Sequence, residues 1–560
     1  MASATVKLKV SGVRLPLGAE EQRLAHSIAR RLRVPEGTVL RYRVLRRSLD
    51  ARRPDRIAFV YTLEVEVLRS GKLRLDHLPP GVSQIESEPY RVPEPGQRLL
   101  RFRPVIVGAG PAGLFAAWLL TACGYPPLVL ERGKRVRERT RDVEAFEAGG
   151  PLNPESNYLY GEGGAGTFSD GKLTCRRSGP EVRAVLRVIA ACKGRLSILW
   201  ESRPHLGSNR LPAVVKAIRR RLAAAGCDFY FQRRVEDIEI AAGRVRGVYT
   251  TGGFVPAEVI VLATGHSARD VYAMLARRGI PLAFKPFQFG VRIEQPQVNV
   301  NVACYGPYAD HPALGPAEYE LKAHVGRTLY TFCMCPGGYV IPSVSEAGFY
   351  CTNGMSYARR DSPFANSGLV VTIQAEDLPN PGAWGAIGFQ RAAEGAAYLH
   401  GRRQYLAPIQ WAVDFLHRRP SSGSIPSSHR RGVVPGDLHD FLPPAVIQAL
   451  HAGLPALDRQ LKHALLRDAT LVGPEARGSA PVQIPRDPAT LCCPGADGLY
   501  PCGEGAGYAG GIVSAAVDGL RVAASIIRRY APQSKAVPEL IEILEEDPVP
   551  IVDLTDVERK

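Results

Sequence analysis

Val105-Ile-Val-Gly-Ala-Gly-Pro-Ala-Gly113 places an apolar run directly before G-x-G-x-x-G, and Leu128-Val-Leu-Glu131 brings a carboxylate about 20 residues later. The pattern predicts strand, tight turn, helix and second strand. Gly108 permits the turn, Gly110 lets a pyrophosphate approach without a Cβ in the way, and Gly113 lets the helix pack close to the strand. Pro111 and Ala112 lie where the helix begins, and its free N–H groups would face phosphate oxygens. Glu131, followed by Arg132, would accept hydrogen bonds from ribose hydroxyls and repel a 2′-phosphate. The expected ligand is therefore a dinucleotide with an unphosphorylated ribose, FAD or NAD rather than NADP.

The rest of the chain favours FAD. The nucleotide-binding pattern is interrupted by a long insertion and resumes at Leu499-Tyr-Pro-Cys-Gly-Glu-Gly-Ala-Gly-Tyr-Ala-Gly-Gly-Ile512, a strand with a second glycine-rich turn. That arrangement suits a long, two-ended cofactor. Gly503 and Glu504 would meet ribityl or phosphate-side hydroxyls. The amides at Gly511 and Ile512 would open a helix whose positive end stabilises charge on the reduced ring. Between these segments lies Gly161-Glu-Gly-Gly-Ala-Gly-Thr-Phe-Ser-Asp-Gly-Lys-Leu173. Its Gly164-Ala165-Gly166 core is expected to wrap the flavin ring, with the plainer alternative of a flexible surface loop.

Gly161–Leu173, Arg203-Pro-His-Leu-Gly207, Phe332-Cys-Met-Cys-Pro-Gly-Gly338 and the turn at Cys502–Ile512 resemble a bacterial family of FAD-dependent dehydrogenases within the glutathione-reductase-like flavoprotein superfamily. The resemblance covers nearly the whole chain. It implies that the Val235 backbone contacts adenine and that Thr264-Gly265 lies beside the nucleotide. In the wider superfamily the position of Glu504 usually holds Asp, one methylene shorter, so a different partner is expected here. The family leaves the substrate undefined.

Three residues are candidates for the chemistry. His205 could exchange a proton during hydride transfer, Lys172 could place a cation near the ring, and Arg477 could pair with an anionic substrate or reduced flavin. Each has a plain alternative as a satisfied or solvated side chain. His266 is a weaker candidate. Cys333-Met-Cys335 suggests a redox dithiol, but one intervening residue strains a disulfide, so a redox role is the less favoured reading. No metal site is expected. No second G-x-G-x-x-G opens another strand–helix unit, so a pyridine nucleotide would dock transiently in the flavin cleft, or the organic substrate would itself reduce the flavin.

The 560 residues carry 71 Lys plus Arg against 54 Asp plus Glu, a net charge of +17. A basic surface can draw nucleic acid, and the charges cluster locally, as in Arg132–Arg139, yet no nucleic-acid module appears and charge spread over solvated faces is the favoured reading. The eleven cysteines lack the paired spacing of zinc or disulfide frameworks, which fits a reduced, cytoplasmic setting. Residues 1–10 show no apolar leader, and 104–130 is too punctuated by Gly and Pro to span a membrane.

The fold class expected is α/β: a Rossmann-like FAD-binding domain (98–280 and 481–535), an inserted mixed α+β substrate or cap domain (281–480), a small N-terminal α+β domain (1–97) and a C-terminal tail (536–560). Within these, 140–180 reads as loop, 298–304 as strand, and 387–405 and 454–469 as helices. The favoured function is hydride transfer between flavin and a small organic substrate. The alternatives are a flavoprotein linked to tRNA or other nucleic acid, and a non-catalytic FAD-binding redox sensor or scaffold.

Overall fold

The computed structural model describes residues 5–554 apart from 70–72, 74, 76 and 86–88. Met1–Ala4, part of the stretch read as lacking a leader, and 555–560 of the tail lie outside the described residues. A five-stranded, wholly parallel sheet runs in the order Leu499–Pro501, Ile260–Leu262, Val105–Val107, Leu128–Leu130, Asp228–Tyr230. Its central strands are apolar on both faces, as a sheet covered by helices on each side requires. Helix Pro111–Ala122 is buried along almost its whole length. It packs against helix Ile512–Arg529, and a Cβ on Gly519 would stand 2.1 Å from the Ala112 carbonyl oxygen. The bare backbone at Gly519 thus sets how closely the two helices approach, and their N-termini lie beside each other.

Ala283–Phe284 and Val482–Gln483 pair antiparallel, so the chain leaves and re-enters this layer side by side. Between them it builds a seven-stranded sheet in the order Lys322–Val325, Arg327–Cys335, Phe364–Ile373, Phe287–Pro296, Thr470–Glu475, Ala407–Trp411, Val433–Pro435. The hairpin Gly338–Pro342 with Thr352–Ser356 lies beside it. Helix Leu24–Leu32 covers one face of the N-terminal antiparallel sheet.

Several local expectations are corrected. Residues 298–304 form helix Gln297–Tyr305, not a strand. Val298 and Val302 are 59% and 56% exposed while Val300 and Ala303 are buried, the i, i+4 and i, i+3 spacing of a helix surface and its inner face. The alternating valines imitated a strand. The 140–180 loop begins as helix Val136–Glu147, with Val136, Arg139, Val143 and Phe146 turned inward. The 454–469 helix is Pro444–Gln460 and the 387–405 helix is Gly382–His400. The tail folds as well: helix Pro538–Glu545 buries Leu540 and Leu544, and Val552–Asp553 pairs with strand Val39–Asp50 of the N-terminal sheet. Among the described residues no helix is long and apolar enough to cross a membrane.

Candidate functional site

Strand Val105–Val107 ends at Gly108, whose φ of +107° places it in a backbone region that side chains disfavour, and where a Cβ would meet the Ala263 carbonyl oxygen at 2.4 Å. At Gly113 a Cβ would lie 2.0 Å from the Gly108 oxygen. Gly110 is different: the nearest atom to a Cβ there is Gly164 Cα, 3.8 Å away. Space is kept clear at the position where phosphate must come close to backbone amides.

Glu131 is 5% exposed and ties three segments together. Oε2 accepts the Ala109 N–H at 2.8 Å, and Oε1 accepts those of Gly133 at 2.9 Å and Gly161 at 3.0 Å. A carboxylate offers about four acceptor positions, so one remains for a ribose hydroxyl. The loop that follows is equally tied down. Arg139, fully buried, donates to the carbonyl oxygens of Asn157, Tyr158, Gly161, Glu162 and Gly164. Burial pushes its pKa down to about 10, with Glu131 and Glu162 holding it up, so it stays a cation at neutral pH. Glu162 in turn accepts the Val136 N–H and Arg219 Nε at 2.7 and 2.6 Å. The stretch carrying Gly164–Gly166 is thus a fixed wall.

One long cleft joins these parts. From the parallel-sheet layer it is lined by Leu130, Glu131, Arg132, Arg233–Val235, Gly108, Gly110–Ala112, Gly164–Gly166, Thr264, Gly265, Gly503, Glu504, Gly511 and Ile512. The insertion contributes Phe332, Cys333, Ser343, Asn353, Gly354 and Arg477. Every residue expected to hold the cofactor lies on this surface except Gly113, which packs beneath the turn. Burial pushes the Glu504 carboxyl up to about 7, opposed by Lys285 and the Gly511 amide.

The catalytic candidates fare less evenly. Arg477 reaches the cleft, but its Nε and Nη2 both bond Glu394 at 2.9 Å and its Nη1 bonds Ser345 Oγ at 2.8 Å. These bonds hold the guanidinium in place, and Arg269 shares the same Glu394 carboxylate through Nη1 and Nη2. Lys172 and His205 do not line the cleft. Lys172 Nζ donates to the Met334 carbonyl and lies 3.7 Å from Asp170, while His205 Nε2 bonds Ser356 Oγ at 3.1 Å. Both belong to a buried polar cluster behind the wall, because the antiparallel bridge Lys172–His205 turns them toward Asp170. His266, the weaker candidate, does open onto the cleft. Burial, then Arg477 and Arg269, push its pKa down to about 4, so it is neutral there. Tyr158, Ser343, Asn353 and Gly354 were not foreseen. They come from loops and hairpins that carry no local motif.

The donor set fits FAD: a carboxylate for a ribose, two adjoining helix N-termini bare of side chains for a diphosphate, and beyond them a chamber for a ring. Residues 286–478 match the family described as FAD-dependent protein, C-terminal domain-like; 207–315 match FAD dependent oxidoreductase; and 106–160 match NAD(P)-binding Rossmann-like domain. Residues 7–66 match a domain of unknown function. A Clostridium beijerinckii protein described as uncharacterized is 39% identical over 529 residues, spanning 93% of this chain and 99% of that protein. The chain belongs to the same family as that protein. With its matched domains it is an FAD-dependent oxidoreductase, and FAD is its cofactor.

Among solved structures, a flavin-dependent brominase Bmp2 triple mutant is 14% identical with a TM-score of 0.34, covering 76% of this chain and 80% of that one. Glycine oxidase from Bacillus cereus is 13% identical with a TM-score of 0.33, covering 77% and 99%. Likenesses this distant say nothing of the substrate.

Proposed function

We propose that this member of the family moves a hydride between FAD and a small organic substrate held against the wall of the inserted sheet. The observation that carries the reading is the continuity of the cleft: the surface that begins at Glu131 ends between Gly511–Ile512 and the 332–354 wall. When bound, the flavin supplies the hydride acceptor or donor. The protein's own groups do the rest. Glu131 holds the ribose, the Pro111–Ala122 helix start faces the diphosphate, and the positive end of Ile512–Arg529 favours negative charge on the ring. The glycine turn and Glu131 support placing the chain in the glutathione-reductase-like superfamily. A pyridine nucleotide, if used, docks transiently in this cleft, and the reduced cysteines suit the cytoplasm.

The test is anaerobic. Yellow holoprotein is mixed with a panel of alcohols, amines, carbonyl compounds, NADH and NADPH, and the visible flavin absorbance is followed. Bleaching by a small organic compound, or reoxidation of the photoreduced protein by one, is the expected result. A flavin that light reduces but no compound oxidises or reduces would instead favour a redox sensor or scaffold.

A further inference from the structure

Strand Arg327–Cys335 departs from its neighbour Phe364–Ile373 through a bulge. Phe332 faces Gly368 and Cys335 faces Asn366, so Cys333 and Met334 together stand opposite one residue. Cys333 takes φ +46°, a left-handed conformation that non-glycine residues hold where the surroundings impose it. The bulge sets Cys333, half-buried, into the cleft wall while Cys335 stays inside.

Two cations bracket this segment, Arg292 fully buried and Lys172 partly exposed. Arg292 Nη2 donates to the Cys333 carbonyl oxygen at 2.6 Å and lies 3.9 Å from Cys335 Sγ. Lys172 donates to the Met334 carbonyl. Their counter-ions are Glu475, 3.1 Å from Arg292, and Asp170, 3.7 Å from Lys172. The Cys335 thiol donates to the Cys333 carbonyl at 3.3 Å. The wall is bare at this point. A Cβ on Gly354, a lining residue, would stand 2.2 Å from Asn366 Oδ1 and 2.6 Å from Arg292 Nε. Directly behind it Asn366 Nδ2 is buried and has no hydrogen-bond partner among the described residues.

We propose that Cys333 is a catalytic residue of the cleft, a thiolate on a bulge whose carbonyl oxygens Arg292 and Lys172 hold, and that it takes the proton an alcohol or amine loses as its hydride goes to the flavin. The proposal rests on the hydride-transfer reading above. The C–H bond leaves with its electron pair to the flavin, the O–H or N–H pair becomes the second bond of C=O or C=N, and the proton forms an S–H bond. The substrate is oxidised by two electrons and the flavin is reduced by two. The neighbouring Cys335 thiol, then Lys172 and Arg292, pull the Cys333 pKa below the ordinary thiol range against burial and Asp170, while burial pushes the Glu475 carboxyl up to about 7. A base of that strength is suited to neutral pH.

The experiment uses the holoprotein, iodoacetamide and peptide mass spectrometry between pH 5 and 9. Expected is alkylation of Cys333 with a pH midpoint at least about one pH unit below the roughly 8.5 of an ordinary thiol. A long-wavelength absorbance from thiolate against oxidised flavin should grow with the same midpoint and disappear in Cys333→Ser. Lys172→Met, which keeps the thiol and removes one cation, should move the midpoint upward, and it decides the matter if the serine variant does not fold. An ordinary midpoint in wild type, or no response to Lys172→Met, overturns the proposal. A flavin inert to every reductant defeats the hydride reading instead, and the alkylation midpoint still reports on Cys333.

Discussion

Glu131→Ala is expected to purify with little or no FAD. Beyond the proposed ribose contact, the side chain holds the local backbone. Its two oxygens accept the amides of Ala109, Gly133 and Gly161, which belong to the glycine turn, the chain just past the second strand and the start of the Gly161–Leu173 loop. Alanine leaves those amides without an acceptor and removes the ribose partner. A buried donor left unpaired costs about 1–3 kcal/mol, and water entering from the cleft side recovers part of that. A net loss of about 2–4 kcal/mol weakens FAD binding by roughly 30- to 1000-fold. Glu131→Gln keeps the shape but turns an NH2 toward donors, so it should fall between. Fluorescence titration of apoprotein with FAD measures both, and unchanged affinity in Glu131→Ala would remove Glu131 from the site.

The ribose signal is legible in the sequence because it lies within 105–131: apolar strand, glycine spacing and a carboxylate at the end of the next strand; the bonds of Glu131 to the Gly133 and Gly161 amides are not. The closing turn at 499–512 was legible for the same reason. Arg139 was not. It sits in the run Arg132–Arg139, which reads as a solvated basic cluster, yet it is fully buried and donates to five carbonyl oxygens between 157 and 164. Nothing local distinguishes it from its exposed neighbours, since its partners are made by a loop folding back. Most of the far wall is hidden for a related reason. Cys333 lies in the Cys333-Met-Cys335 motif, but Ser343 and Asn353 carry no signal, and only a bulge and a hairpin bring them to the same surface. Arg477 precedes the closing cofactor segment, but its partner Glu394 lies 83 positions away and leaves no trace near it in the sequence.

Glu394→Ala is expected to give the largest loss of stability. Glu394 is fully buried, and two guanidiniums share it: Arg477 through Nε and Nη2, and Arg269 through Nη1 and Nη2, at 2.8–2.9 Å. Arg269 also reaches Glu346 Oε2 at 2.8 Å, which is too little for two buried cations. Removing one partner of a buried ion pair typically costs about 3–5 kcal/mol. For a unit of some 200 residues that is a fall in melting temperature on the order of 10 °C. Burial raises the Glu394 pKa, but Arg477 and then Arg269 outweigh it and hold the carboxyl at about 2. The folded value therefore lies below the unfolded one. Its contribution is present above the unfolded carboxylate value of about 4.3, and is lost as pH falls toward 2. Glu394→Gln should accordingly lose stability at neutral pH and show a shallower acid limb than wild type. Thermal melts between pH 3 and 7 check both, and a glutamine variant as stable as wild type at pH 7 would show that the charge is not required.

The central claim is that one cleft seats FAD at the glycine turn and carries it to the wall built by the inserted sheet. Hydrogen–deuterium exchange of the apoprotein with and without FAD tests this directly. The account predicts that FAD slows exchange in peptides covering 108–113 and 161–166 and also in those covering 332–335 and 353–354. Protection confined to the first pair, with the inserted wall exchanging as fast as in the apoprotein, would contradict it.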